Sequence, residues 1–188
     1  VLYHHVERMR QCNNIHSIYL ATSKSETNKP LIEEAERLHI PHYAGAEEDV
    51  LERYIAIAKR ENADAVIRCG CDKPLFSYEI ANHLIEEYDG EDLLYVVNPL
   101  GKGAGVEMIS LSAMERVRKR YQGPAIAKYI YEYPHLFNIK GVEVDDEFSR
   151  PEFRITLDTK EDYELLKCIY EKFYEEPETV DIREVFKF

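Results

Sequence analysis

Up to residue 88, apolar positions alternate between a period of two and a period of three to four. Residues 16–21 (His-Ser-Ile-Tyr-Leu-Ala) read as a buried strand ending at Thr22-Ser23. Residues 31–38 then read as a helix entered through Asn28-Lys29-Pro30. Residues 41–44 form a short strand stopping at Gly45. The pattern over 47–60 predicts a strong helix, with Val50, Leu51, Tyr54, Ile55, Ile57 and Ala58 as its apolar stripe. Glu47, Glu48 and Asp49 fall in its first turn, where the helix dipole favours acids. Residues 65–69 are the next strand and 78–88 its helix. Ahead of them all, 2–10 reads as a helix with Leu2, Val6 and Met9 on one face. Strands and helices alternating through short loops imply right-handed βαβ units and a parallel sheet.

Beyond residue 88 the pattern changes. Residues 93–97 and 106–111 are strand candidates around a glycine-rich loop, Asn98-Pro99-Leu100-Gly101-Lys102-Gly103-Ala104-Gly105. Helices are expected near 112–121 and 124–133. Residues 153–157 read as a last strand and 161–174 as a long final helix. No repeat, low-complexity tract or linker divides the chain, so 1–188 reads as one domain.

Composition narrows the partners. Acidic residues outnumber basic ones 36 to 24, a net charge of -12, which argues against the basic face that nucleic acid requires. A nucleotide held by a few lysines, arginines and backbone N–H groups remains open. No apolar run approaches the roughly 18 residues that span a bilayer, and there is no signal-peptide pattern. Cys12, Cys69, Cys71 and Cys168 make no dense disulfide framework, so a cytoplasmic protein with free thiols is the simplest reading. Cys69-Gly70-Cys71 lacks the second ligand pair of a zinc site.

Two strands end in an acid. Ala65-Val66-Ile67-Arg68-Cys69-Gly70-Cys71 delivers Asp72 and Lys73, and Arg154-Ile155-Thr156-Leu157 delivers Asp158. Ligands of open α/β sheets sit beyond the carboxyl ends of the strands, and a parallel sheet can bring two such ends together. Paired carboxylates suit Mg²⁺, which takes one or two of them plus phosphate oxygens. Each aspartate could equally be a helix N-cap or a turn residue. The loop 101–105 could cradle a phosphate on backbone N–H groups, although it has neither the Walker nor the dinucleotide spacing.

These pieces together resemble the cytidylyltransferase-like proteins of surface polysaccharide synthesis. The nearest branch is SpsF-like, with acylneuraminate and deoxy-octulosonate cytidylyltransferases as more distant relatives. The resemblance rests on I-Y-L-A-T-S (18–23), G-A-E-E-D-V-L-E-R-Y (45–54), I-R-C-G-C-D-K-P-L (67–75), G-V-E (105–107) and R-I-T-L-D-T-K-E-D-Y-E-L-L (154–166), which follow the family's order. It implies a Rossmann-like, doubly wound, mostly parallel sheet of the nucleotide-diphospho-sugar transferase type. It implies that a sugar oxygen attacks the α-phosphate of CTP, with Mg²⁺ as cofactor, and it allows a homodimer. By the same resemblance Asp72 and Asp158 are the catalytic, metal-binding acids. Thr22 and Ser23 border the base, Lys73 lies on the nucleotide side, and Arg68 and Glu107 lie on the sugar side.

The chain departs from the family in several places. The family has a Gly/Arg/Lys-rich triphosphate loop, and a strand expected between 18–21 and 65–69, ahead of what is here Val1. Cys71 stands where glycine precedes the family's acid, and Gly105 replaces an acid. The histidine and threonine usual in the family before Tyr129 are absent, with Ala125 and Ala127 nearby. Two other readings stay open: a non-catalytic fold relative serving as a binding or assembly module, and a nucleotide-sugar glycosyltransferase.

Overall fold

The computed structural model describes residues 1–121, 126–176 and 178–188. In chain order its elements are α1 (Leu2–Met9), β1 (Leu20–Ser23), α2 (Lys29–Arg37), β2 (His42–Gly45), α3 (Val50–Glu61), β3 (Ala65–Arg68), α4 (Tyr78–Glu87), β4 (Leu93–Val96), β5 (Glu107–Ser110), α5 (Leu111–Arg118), α6 (Ile126–Glu132), β6 (Ile139–Val142), α7 (Lys160–Phe173) and α8 (Ile182–Lys187).

The strands form two sheets. β1 and β2 pair in parallel, and a second sheet has the order β3-β5-β4-β6. β5 runs against both β3 and β4, while β4 and β6 are parallel. The carboxyl ends of β3, β4 and β6 therefore share one edge. Among the described residues, no strand pairs with the remaining edges of β1 and β3, so the strand expected between them is not found there. Helix α3 packs against both.

Side chains alternate across the pleat and feed two cores. On one face Val66, Leu93, Ile109 and Ile139 meet Leu51, Ile55, Met114, Val117 and Ile130 from α3, α5 and α6. On the other, Ile67, Leu94, Met108 and Val142 meet Ile80 and Leu84 of α4, Leu166 and Ile169 of α7, and Ile182 and Phe186 of α8. Helices thus cover both faces, which is the doubly wound α/β class. A third cluster joins Leu2 and Val6 of α1 to Leu20, Ala35, Leu38 and Ile40.

Several expectations change. The first strand starts only at Leu20, because its partner β2 offers four residues for pairing. Glu47 and Glu48 precede α3 instead of entering its first turn. Asp49 is the N-cap, and its carboxylate accepts from the Glu52 N–H at 2.8 Å. Residues 153–157 do not form a ladder strand; a single bridge pairs Lys102 with Arg154. Their neighbour is the glycine loop, which leaves the extended conformation at Gly103, φ +108°, and so pairs through Lys102 without continuing. β6 and α8 are additional to the sequence reading. The expected helix start at Pro124, and Ala125, lie outside the described residues, while Ala127 is buried in α6.

Candidate functional site

The segments carrying the two acids meet beyond the end of β3. Asp72 sits in the turn after β3, and Asp158 follows the extended stretch 153–157. The two segments are joined where the Leu157 N–H donates to the Asp72 carbonyl at 2.7 Å. Neither acid caps a helix. Ser77 caps α4, its hydroxyl accepting from the Ile80 N–H at 3.1 Å. Thr159 and Asp162 form the capping box of α7. The helix-cap explanation therefore falls away for both carboxylates, while Asp72 is a turn residue.

Asp72 is exposed, and its carboxylate folds back over Gly70. A Cβ at Gly70 would stand 2.1 Å from Asp72 Oδ1, so only glycine leaves that room. Asp158 is more engaged. Its Oδ2 accepts from Lys102 Nζ at 3.2 Å, Arg154 Nη2 at 2.7 Å and Thr156 Oγ1 at 3.1 Å. These donors, Lys102 first, hold its carboxyl below the usual range. Lys73 is half-buried and donates to the Gly105 carbonyl at 3.3 Å.

The glycine loop is positioned by its backbone. Lys102 N–H donates to the Phe153 carbonyl at 2.9 Å, and Ile155 N–H to the Lys102 carbonyl at 2.8 Å. Gly103 has φ +108°, and a Cβ there would lie 2.9 Å from the backbone of Ile155. Asp72, Lys73, Lys102 and Asp158 are therefore gathered around one loop junction.

Arg68 and Glu107 occupy the same register pair of β3 and β5 and are joined at 2.8 Å. They lie one row beyond Val66 and Ile109 on the α3–α5–α6 face. Tyr95, two residues after Leu93, belongs to that row and meets Tyr131 edge-on at 5.8 Å between centroids. Burial would lower the Arg68 pKa, but Tyr54 and Glu107 together raise it. The sequence reading has Tyr54 only as part of an apolar stripe and does not place Tyr54, Tyr95 or Tyr131 near Arg68 and Glu107. The period-two step from Leu93 to Tyr95 was the available signal.

Thr22 and Ser23 stand apart, in the other sheet. The Ser23 hydroxyl accepts from Asn28 Nδ2 at 2.8 Å and from the Ser25 N–H at 3.3 Å, holding the turn into α2. No hydrogen bond described in the structure joins either residue to the Asp72 cluster. A cavity of about 210 Å³ lined by Pro74, Leu157, Leu166 and Tyr170 adjoins the aspartate loops. A larger one of about 390 Å³, between α4 and the segment after β6, contains none of these residues.

Among the described residues no group of three His, Cys, Asp or Glu side chains converges on one point. Asp72 and Asp158 fit a hard divalent cation whose remaining ligands are phosphate oxygens and water, the usual pattern for Mg²⁺. They do not fit a closed, all-protein cage. Cys69 is partly buried, and the desolvation pushes its thiol pKa up.

The spore coat polysaccharide biosynthesis protein SpsF of Bacillus subtilis (strain 168) is 30% identical to the chain over 169 residues, covering 86% of the chain and 70% of that protein. The chain belongs to the SpsF-like family. An uncharacterized protein of Methanocaldococcus jannaschii is 27% identical over 188 residues, with 97% and 76% covered. Among solved structures, a cytidylyltransferase from Leptospira borgpetersenii serovar Hardjo-bovis matches with a TM-score of 0.87 and 25% identity, over 98% of the chain and 81% of that structure. A CMP:2-keto-3-deoxy-manno-octonic acid synthetase complexed with CTP matches with a TM-score of 0.66 at 12% identity, over 90% of the chain and 87% of that structure, which is a likeness of fold. No protein-family model matches the chain. No helix among the described residues is long and apolar enough to cross a membrane.

Proposed function

We propose that the chain is a cytidylyltransferase that activates a sugar with CTP for cell-surface polysaccharide synthesis, working in the cytoplasm where CTP is made. One observation carries the reading: two aspartates that cap no helix, on segments joined by the 2.7 Å hydrogen bond from the Leu157 N–H to the Asp72 carbonyl, flank a glycine loop bearing Lys102. Likeness to SpsF and to a Leptospira cytidylyltransferase supports the cytidylyl class.

In the proposed reaction a sugar oxygen attacks the α-phosphorus. The new P–O bond forms as the bond to the β-phosphate bridge breaks, pyrophosphate leaves, and the sugar hydroxyl proton passes to water. Catalysis of this kind depends on positioning and on neutralising charge. Mg²⁺ held by Asp72 and Asp158 would supply that neutralisation when bound. Lys73 adds a fixed positive charge beside Asp72. Thr22 and Ser23 border the base in this reading. Arg68 donates and Glu107 accepts, a pairing suited to neighbouring hydroxyls of a sugar ring.

The test is direct. With CTP, Mg²⁺ and a panel of acidic sugars, the chain should release pyrophosphate. CTP alone should raise Tm by several degrees. Absence of both would sink the reading in favour of a non-catalytic fold relative, and a Tm rise with UDP-sugars instead of CTP would favour a glycosyltransferase.

A further inference from the structure

Lys102 sits midway in the loop joining β4 to β5. Its backbone is locked to residues 153–155 on both sides. Its side chain is 60% exposed, and among the described residues its ammonium has one carboxylate partner, Asp158 Oδ2 at 3.2 Å. That oxygen also carries Arg154 and Thr156. Arg154 is not free to leave, because its Nε and Nη2 grip Asp162 at 3.0 and 2.8 Å, and Asp162 closes the N-terminus of α7. Thr156 is neutral and buried. Lys102 alone of the three combines a full charge with a mobile stem, and an exposed ion pair of this kind is weak enough to exchange.

The charges around Asp158 balance as they stand: Lys102 and Arg154 against Asp158 and Asp162. A divalent cation arriving on Asp158 would leave an excess of positive charge at contact distance. Lys102 is the member that can move. At the other end of the same loop Lys73 reaches the Gly105 carbonyl at 3.3 Å, so the loop lies between two ammonium groups.

We propose that Lys102 is a phosphate-binding residue of the nucleotide site, and that Asp158 holds its ammonium only until a divalent cation claims the carboxylate. This rests on the nucleotidyltransferase reading of the same site. It makes a prediction in two opposite directions. Removing the ammonium deletes a competitor for Asp158 and a partner for phosphate, so metal should bind tighter and phosphate more weakly.

The experiment titrates Mn²⁺ alone, followed by electron paramagnetic resonance, and pyrophosphate at saturating Mn²⁺, followed by calorimetry. Lys102→Met should tighten Mn²⁺ severalfold and weaken pyrophosphate about tenfold, the scale of one charge-assisted contact. Lys102→Arg should recover most of the pyrophosphate affinity, and Lys59→Met, an exposed lysine paired with Glu115, should change neither. The exposed side chain makes an unchanged Tm the expected fold control. Unchanged Mn²⁺ affinity, unchanged pyrophosphate affinity, weakening of both together, or a wild-type chain that binds no Mn²⁺ would each overturn the proposal. A wild-type chain that shows the Mn²⁺ and pyrophosphate pattern but does not bind CTP would uphold the Lys102 exchange and defeat the cytidylyl reading.

Discussion

Asp72 owes its orientation to a residue that does nothing but leave space. With Asp72 Oδ1 standing 2.1 Å from where a Gly70 Cβ would be, Gly70→Ala must swing the carboxylate away. Since Asp72 is exposed, the swing should cost little stability. Mn²⁺ affinity should fall about tenfold, as for loss of one well-placed charged ligand, with Tm nearly unchanged; full Mn²⁺ affinity would mean that Asp72 does not bind metal. Asp158→Asn keeps the shape and the Thr156 contact but loses the charge. Pyrophosphate release should drop about 10²–10³-fold, the range seen when one preorganised electrostatic group is removed, and a drop below tenfold would remove Asp158 from the site. Both acids were legible in the sequence as strand ends. Their alternative as helix caps was not excluded there, since Ser77 and Thr159 took that role only once α4 and α7 had definite starts.

At the scale of elements, strongly periodic segments such as α3, α4 and α7 could be read directly, because an amphipathic stripe survives without its partner. β6 could not. Ile139-Lys140-Gly141-Val142 is a poor strand by propensity and exists because β4 offers four pairing positions. Residues 153–157 err the other way, strand-like by composition but lacking a partner strand. What anchors β6 is Asp92. It accepts from Arg116 Nη1 and Nη2 at 2.8 and 2.9 Å and from the Asn138 N–H at 2.8 Å, tying α5 and the start of β6 to β4. Asp92→Ala should destabilise by about 2–3 kcal/mol, because charged donors lose their acceptor. The shift in the urea midpoint measures it, and a change under 0.5 kcal/mol, the scale of an ordinary surface substitution, would show that the network holds nothing together.

The molecule as a whole is closed by α1. Arg8, buried, donates from Nε to the Phe76 carbonyl at 2.7 Å and from Nη1 to the Val180 carbonyl, linking the first helix to the segments before α4 and α8. His5 lies beside it, 1% exposed, stacked near Phe76 and, among the described residues, without a hydrogen-bond partner for either ring nitrogen. Burial first, and then Arg8, lowers its pKa to about 4, with Asp72 pulling the other way. Unfolded, His5 takes a proton near 6.5; folded, only near 4. Between those values the unfolded chain binds more protons, so stability falls as pH drops from 6.5 to 4, by about 3 kcal/mol in all. In His5→Phe the loss over that window should shrink correspondingly, and an identical slope of unfolding free energy against pH would refute the assignment. The sequence by itself determined the α/β class, most helices, the strand-end acids and the family resemblance, all of which rest on local periodicity and motif order. The tertiary structure alone decided that β5 runs against its neighbours, that β6 exists, and that Lys102 and Arg154 meet on Asp158. Those are contacts between segments distant in the chain, made by pairing edges and by charges that only the packed fold brings within reach.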